Sequence, residues 1–141
     1  MYGASKILLI TLEILKKNGH NPLVVLSEDG LLSQALKKEH IEVRFIKLGI
    51  IRRKYFNFKG LINRFKTLRI AKNQLTQLCV QENIDLIYSN TAAVIVGGWV
   101  ARKCRIKHIF HIHEIIQSPR WFVYLIHKMI ARNADHVIAV S

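Results

Sequence analysis

Acidic residues are scarce in this chain. Nine Asp and Glu stand against 22 Lys and Arg in 141 residues, a formal charge of +13. An excess that large draws anions to a small domain, whether nucleic acid, an anionic membrane face or a phosphorylated substrate. Proline is scarcer still, with two residues, and no Ser/Gly-rich tract occurs, so nothing reads as a linker or a disordered tail. Cys79 and Cys104 are the only cysteines. They lack CxxC spacing, which excludes a disulfide framework and suits a reduced, cytosolic compartment. The most apolar helical stretch, Thr91 to Ala101, is far shorter than the ~20 residues of a membrane span. The N-terminus does not read as a signal peptide, because Thr11 and Glu13 interrupt the apolar run after Lys6 and no small-residue cleavage site follows. GxGxxG and Walker loops are missing. So are the signatures of helix-turn-helix, zinc-finger and RNA-binding modules, which leaves nucleic acid a poor partner despite the charge.

Half of the residues are apolar, enough for the core of a single domain over 1–141. Ile7, Leu8, Leu12 and Leu15 recur at helical spacing, with Leu9, Thr11 and Ile14 widening the stripe, and predict a helix over 3–18. Lys16, Lys17, Asn18 and Gly19 form its stop. The β-branched run 22–27 and the alternating run 42–47 read as strands around a short helix at 31–38. Residues 49–57 read as loop, and a long basic helix covers 59–82. Strands follow at 84–89, 107–113 and 136–140, with helices at 91–104 and 120–132 between them. Gly97 and Gly98 weaken the first of these helices by about 1 kcal/mol each, and suggest a helix packed closely onto a sheet. Alternating strands and helices imply a Rossmann-like, three-layer α/β domain with a mostly parallel sheet.

The motifs then fall into a familiar order. Tyr2-Gly3-Ala4-Ser5 enters the first helix. Lys17-Asn18-Gly19-His20 precedes a strand and Glu28-Asp29-Gly30 follows it. Next come Asn83-Ile84-Asp85-Leu86-Ile87-Tyr88-Ser89-Asn90, His111-Ile112-His113-Glu114 and Ala134-Asp135-His136-Val137-Ile138-Ala139-Val140-Ser141. This ordered set, covering essentially the whole chain, resembles the N-terminal domain of the family-4 (group 1) retaining glycosyltransferases of the GT-B fold. The resemblance implies an acceptor-side domain of an enzyme that uses a nucleotide-sugar donor as substrate and needs no further cofactor. It implies that a C-terminal domain binds the donor, and that the acceptor is a saccharide or a lipid-linked sugar in cell-envelope polysaccharide synthesis. Family members begin with a strand before the glycine loop, whereas this chain begins within that loop. With strand order 3-2-1-4-5-6, the missing strand is central. Its two neighbours would then stand ~9–10 Å apart, twice the normal spacing. Unpaired backbone groups there would cost roughly 1–3 kcal/mol each, so a weakly stable or rearranged sheet is expected.

Candidate site residues follow. Gly3, Ala4 and Ser5 open a helix, where free N–H groups and the helix dipole favour a phosphate; an ordinary helix cap is the alternative. Asn90 and Thr91 follow a strand on the edge where parallel sheets bind ligands. They can serve a sugar hydroxyl or cap the next helix. By resemblance, His113 is the cleft histidine that positions substrate, and Glu114 is the acidic residue beside it. His111 shares a face with His113, but two histidines make too few ligands for a metal, and none is expected. Between residues 52 and 72 lie eight cations and no carboxylate: Arg52, Arg53, Lys54, Lys59, Arg64, Lys66, Arg69 and Lys72. The interleaved Tyr55, Phe56, Phe58, Phe65, Leu68 and Ile70 suit an anionic membrane surface. The other reading is a solvated helix with its aromatics packed inward. A second stretch of this kind runs from Arg120 to Arg132, with Trp121, Phe122, Tyr124 and Lys128. The localisation expected is cytoplasmic, peripheral on the inner face of the membrane.

Overall fold

A computed structural model describes residues 3–50, 58–113 and 119–139, with the side chains of 58–62 outside that description. Among the described residues five helices and five strands alternate: α1 (Gly3–Lys17), β1 (Leu23–Leu26), α2 (Leu31–Lys38), β2 (Glu42–Phe45), α3 (Phe58–Gln81), β3 (Leu86–Ser89), α4 (Val96–Cys104), β4 (Lys107–Ile112), α5 (Arg120–Asn133) and β5 (His136–Ala139). The chain forms two compact units, Met1–Lys47 and Leu48–Ser141. Every strand pair is parallel. The one sheet expected from the sequence is present as two, β1–β2 in the first unit and β3–β4–β5 in the second.

In the first unit, Leu8, Leu12, Val24, Leu36 and Ile41 are buried. The apolar stripe of α1 is narrower than its periodicity suggests, because Ile14 is 54 % exposed. The helix stops as expected. Gly19 takes φ +81°, its N–H donates to the Lys16 carbonyl, and the His20 N–H donates to the Leu15 carbonyl. This double bond satisfies carbonyls that have no partner inside the helix. After β1, Ser33 is fully buried; it accepts a hydrogen bond from the Gly30 N–H at 2.8 Å and donates to Asp29. That donation holds the Asp29 carboxyl below its usual pKa.

In the second unit α3 buries Leu68, Ala71, Leu75 and Cys79, one residue per turn. Cys104 lies beside Cys79, and both are free thiols. Burial, then the neighbouring thiol, pushes the Cys79 pKa up to about 11. The helix expected from residue 91 begins only at Val96. Thr91 is the reason: its hydroxyl accepts from the Ala93 N–H at 3.1 Å and its carbonyl from the Val94 N–H, making a turn that competes with the helix. Once started, α4 packs on β3 and β4 through Val96, Gly97, Gly98, Val100 and Ala101, all buried. In α5, Phe122, Ile126 and Ile130 are buried four residues apart. Among the described residues no helix is long and apolar enough to cross a membrane.

The glycines of α4 are required by this packing. A Cβ on Gly97 would stand 2.5 Å from Ser89 Oγ and 3.3 Å from Ile87 Cγ2. One on Gly98 would stand 2.7 Å from Asn133 Cβ. Gly97→Ala therefore loses roughly 1–3 kcal/mol through overpacking, even though alanine is the better helix former by about 1 kcal/mol. Gly3→Ala meets nothing within 4 Å and is expected to leave stability unchanged or slightly raised. Urea midpoints of the two variants check this. Equal midpoints would show that α4 does not press on β3.

Candidate functional site

Side chains alternate across a strand, so the parallel pairing of β3 and β4 sorts their residues onto two faces. Pairing runs from Leu86 opposite Lys107 to Ser89 opposite Phe110. Ile87, Ser89, His108 and Phe110 fall on one face. Tyr88, Asn90, His111 and His113 fall on the other.

The first face is a buried polar lock. His108 is wholly buried, and its Nδ1 lies 2.8 Å from the Asn133 carbonyl oxygen. A carbonyl only accepts, so Nδ1 carries the proton. Nε2 then accepts from the Ser89 hydroxyl at 2.9 Å. Asp135 completes the lock. Its carboxylate accepts from the His108 backbone N–H at 2.9 Å and from Lys107 Nζ at 2.8 Å, and its own N–H donates to the His108 carbonyl at 2.9 Å. These bonds hold the Asp135 carboxyl below its usual pKa, the Lys107 bond acting most.

The second face carries the candidate site. At the carboxyl ends of β3 and β4, His113 Nε2 donates to Asn90 Oδ1 at 2.9 Å. The other nitrogen of a neutral His113, Nδ1, then carries a lone pair that can accept from a hydroxyl. His111 packs against His113 with ring centroids 4.0 Å apart, and its Nδ1 is hydrogen-bonded to the Tyr88 hydroxyl. His111 is held below the usual histidine pKa, first by burial and then by the nearness of His113. The array Tyr88–His111–His113–Asn90 is thus a chain of hydrogen-bonding and ring contacts, suited to polar ligand groups such as hydroxyls.

The structure brings together Asn90 and His113 of the residues expected at the site. Thr91 lies next in the chain, but its side chain serves the turn before α4, and neither it nor Asn90 caps that helix, whose cap residue is Ile95. Gly3, Ala4 and Ser5 form the first turn of α1 in the first unit; Gly3 is exposed, and a Cβ added to it would meet nothing within 4 Å. Glu114, Arg52, Arg53 and Lys54 lie outside the described residues, as does the side chain of Lys59. On α3, Lys66 and Arg69 are exposed, Arg64 and Lys72 half-buried. Phe65 is 70 % and Ile70 58 % exposed, so these two apolar side chains do not pack inward. Tyr88 and His111 were not expected in the array. The alternation of β3 and β4 holds the signal for both, since each stands two residues before an expected site residue.

Glycosyltransferase Family 4 matches the sequence over residues 2–141. The chain belongs to glycosyltransferase family 4. Its structure resembles that of Anabaena Alr3699/HepE, solved in complex with UDP and glucose, with a TM-score of 0.64 and 22 % identity, over 96 % of this chain and 34 % of that one. It also resembles Acinetobacter baumannii MurG, with a TM-score of 0.72 and 17 % identity, over 98 % of this chain and 38 % of that one. The family-4 chain therefore spans a little over a third of the length of these two proteins, and what it shares with them is the Rossmann-like α/β fold. The ordered motifs and the family match agree on an N-terminal domain of the GT-B type. No curated protein matches the sequence.

The buried His108 makes a pH prediction. Burial holds its pKa below the ordinary 6.5, against the opposing pull of the Asn133 carbonyl and Asp135. The unfolded chain then binds the extra proton first as pH falls. The stabilisation is present above about pH 6.5 and lost progressively below it. Urea midpoints of the wild type and His108→Gln, measured at about pH 7.5 and about pH 5.5, are expected to show the larger acid loss in the wild type. The same acid loss in both would remove His108 as its source.

Proposed function

We propose that residues 1–141 act as the acceptor-side domain of an enzyme that moves a sugar from a nucleotide-sugar donor to a saccharide or lipid-linked acceptor. The observation that carries this reading is the His113–Asn90 pair at the carboxyl ends of β3 and β4. In parallel α/β sheets ligands bind on that edge. Membership of the family supplies the reaction class, and the HepE structure shows a protein of this fold with UDP and glucose bound.

In this reading Asn90 orients the imidazole of His113, so that the Nδ1 lone pair faces an incoming sugar hydroxyl. His113 positions that hydroxyl by accepting a hydrogen bond from it. Tyr88 and His111 hold the ring from behind. Glu114 follows His113 in the chain and is assigned a second hydroxyl contact. Gly3, Ala4 and Ser5 are assigned to the donor phosphates, and a further domain binds the nucleotide. Transfer proceeds with retention and needs no metal from this domain. The exposed Phe65, Ile70, Lys66 and Arg69 of α3 seat the domain on an anionic membrane, on the cytoplasmic side where envelope saccharides are built.

The test is sugar transfer by the native gene product, purified from its own cells and screened against nucleotide sugars. His113→Ala is expected to lower kcat/KM by about 10²-fold or more. Asn90→Ala is expected to lower it less, and mainly through KM. Wild-type rates in His113→Ala would remove the site. A folded wild-type protein that neither transfers nor hydrolyses any nucleotide sugar would remove the reaction.

A further inference from the structure

A second site lies among the helices of the second unit, away from the His113 array. The last turns of α4 and α5 and the middle of α3 enclose an open cavity of about 470 Å³. Lys72 of α3, Arg102 and Lys103 of α4, and Arg132 of α5 line it. Trp99 and Met129 give it an apolar wall. No carboxylate lines it, and among the described residues none of the four cations is in an ion pair.

Helix dipoles explain part of this arrangement. A cation in the last turn complements the partial negative charge there, which suits Arg102, Lys103 and Arg132. Lys72 lies nine residues before the end of α3 and has no such role. The helix ends also leave unexplained why cations from three helices share one cavity. Like charges gathered without a counter-charge repel one another, and a bound anion offsets that repulsion. Two arginines suit tetrahedral oxyanions, since each guanidinium offers a fork of N–H donors, and the lysines add point charge.

We propose that this cavity binds a phosphate-bearing anion with at least two negative charges, held by Lys72, Arg102, Lys103 and Arg132. The apolar wall of Trp99 and Met129 accommodates the uncharged group that carries the phosphate. This site does not depend on the sugar-transfer reading, because none of its residues belongs to the His113 array.

Trp99 serves as the reporter once the other tryptophan, the exposed Trp121, is replaced by phenylalanine. The Trp121→Phe chain is titrated with inorganic pyrophosphate at low salt, and separately with vesicles of cardiolipin, a lipid that carries two phosphates. The expected result is a saturable change in Trp99 emission that weakens as salt screens the charges. Lys72→Gln and Arg132→Gln should each weaken binding by about fivefold, the equivalent of about 1 kcal/mol per charge. Lys72→Arg should retain it, and Lys6→Gln in the first unit should have no effect. Saturation by pyrophosphate identifies a soluble phosphate as sufficient. Binding to vesicles alone, lost in Lys72→Gln/Arg102→Gln/Arg132→Gln, assigns the phosphate to a lipid. No saturable response to either probe overturns the site, as does undiminished binding by the triple variant with an unchanged circular dichroism spectrum.

Discussion

The second unit depends on one buried imidazole. His108 has no contact with water, yet both of its ring nitrogens are hydrogen-bonded, one to Ser89 of β3 and the other to the carbonyl of Asn133 at the end of α5. An unsatisfied buried polar group costs about 1–3 kcal/mol, so these partners are held to their positions. Hydrophobic burial cannot do this, because it has no direction. A slip of one residue between β3 and β4 would turn Ser89 and His108 onto opposite faces of the sheet and leave both without their partner. The lock also needs space. Gly97 and Gly98 provide it, since a methyl at either position would meet Ser89 or the His108 ring and Asn133.

Register set on one face of a sheet is also set on the other. Because Ser89 faces His108 on the helix-covered side, Tyr88 and Asn90 must face the same way as His111 and His113 on the opposite side. The 2.9 Å contact between Asn90 and His113 thus rests on polar contacts made elsewhere. Asp135 anchors the start of β4 in the same way. The Ala-Asp-His stretch that reads as a family motif has a structural task, in which one carboxylate binds the backbone of His108 and the side chain of Lys107. It lies at the opposite end of the strands from His113. His108 within β4 and His113 just past its end therefore divide the work, His108 holding the fold and His113 standing at the edge proposed for a ligand.

Much of this was legible in the sequence, and the failures have physical causes. Element order was readable throughout because the helices are amphipathic and the strands short and β-branched. Helix ends were readable before all four left-handed residues, Gly19, His40, Asn83 and Arg105, because charged residues and a break in the apolar periodicity mark them even where His40 and Arg105 adopt positive φ against their preference. The start of α4 was misread because the hydroxyl of Thr91 diverts the backbone into a turn. His113 and Asn90 were legible because they end strands, while Tyr88 and His111 looked like strand interior. Ile14 was counted inward from periodicity alone, which cannot say how wide a stripe its neighbours cover. The division into two sheets was legible only in part, through the central strand that the expected order requires.

The cations show the deeper limit. The basic run on α3 was conspicuous because its charges are contiguous in sequence. Arg102, Lys103 and Arg132 were not, since each looks like the ordinary positive end of a helix. Only the packing of α4 against α3 and α5 turns three helix endings and one mid-helix lysine into a shared environment. In the second unit the two regions have opposite chemistry. The carboxyl ends of β3 and β4 carry imidazole, amide and phenol groups, which are able to hydrogen-bond hydroxyls. The last turns of α4 and α5, which lead into the amino ends of β4 and β5, carry positive charge in a cavity that no carboxylate lines. A ligand with both hydroxyls and phosphate would be sorted by these fields, its sugar toward one edge and its anionic group toward the other if it could span them. A small ligand cannot. The net charge of +13 is therefore no guide to the chemistry of the His113 array, because four of the cations, Lys72, Arg102, Lys103 and Arg132, are gathered at the other end of the strands.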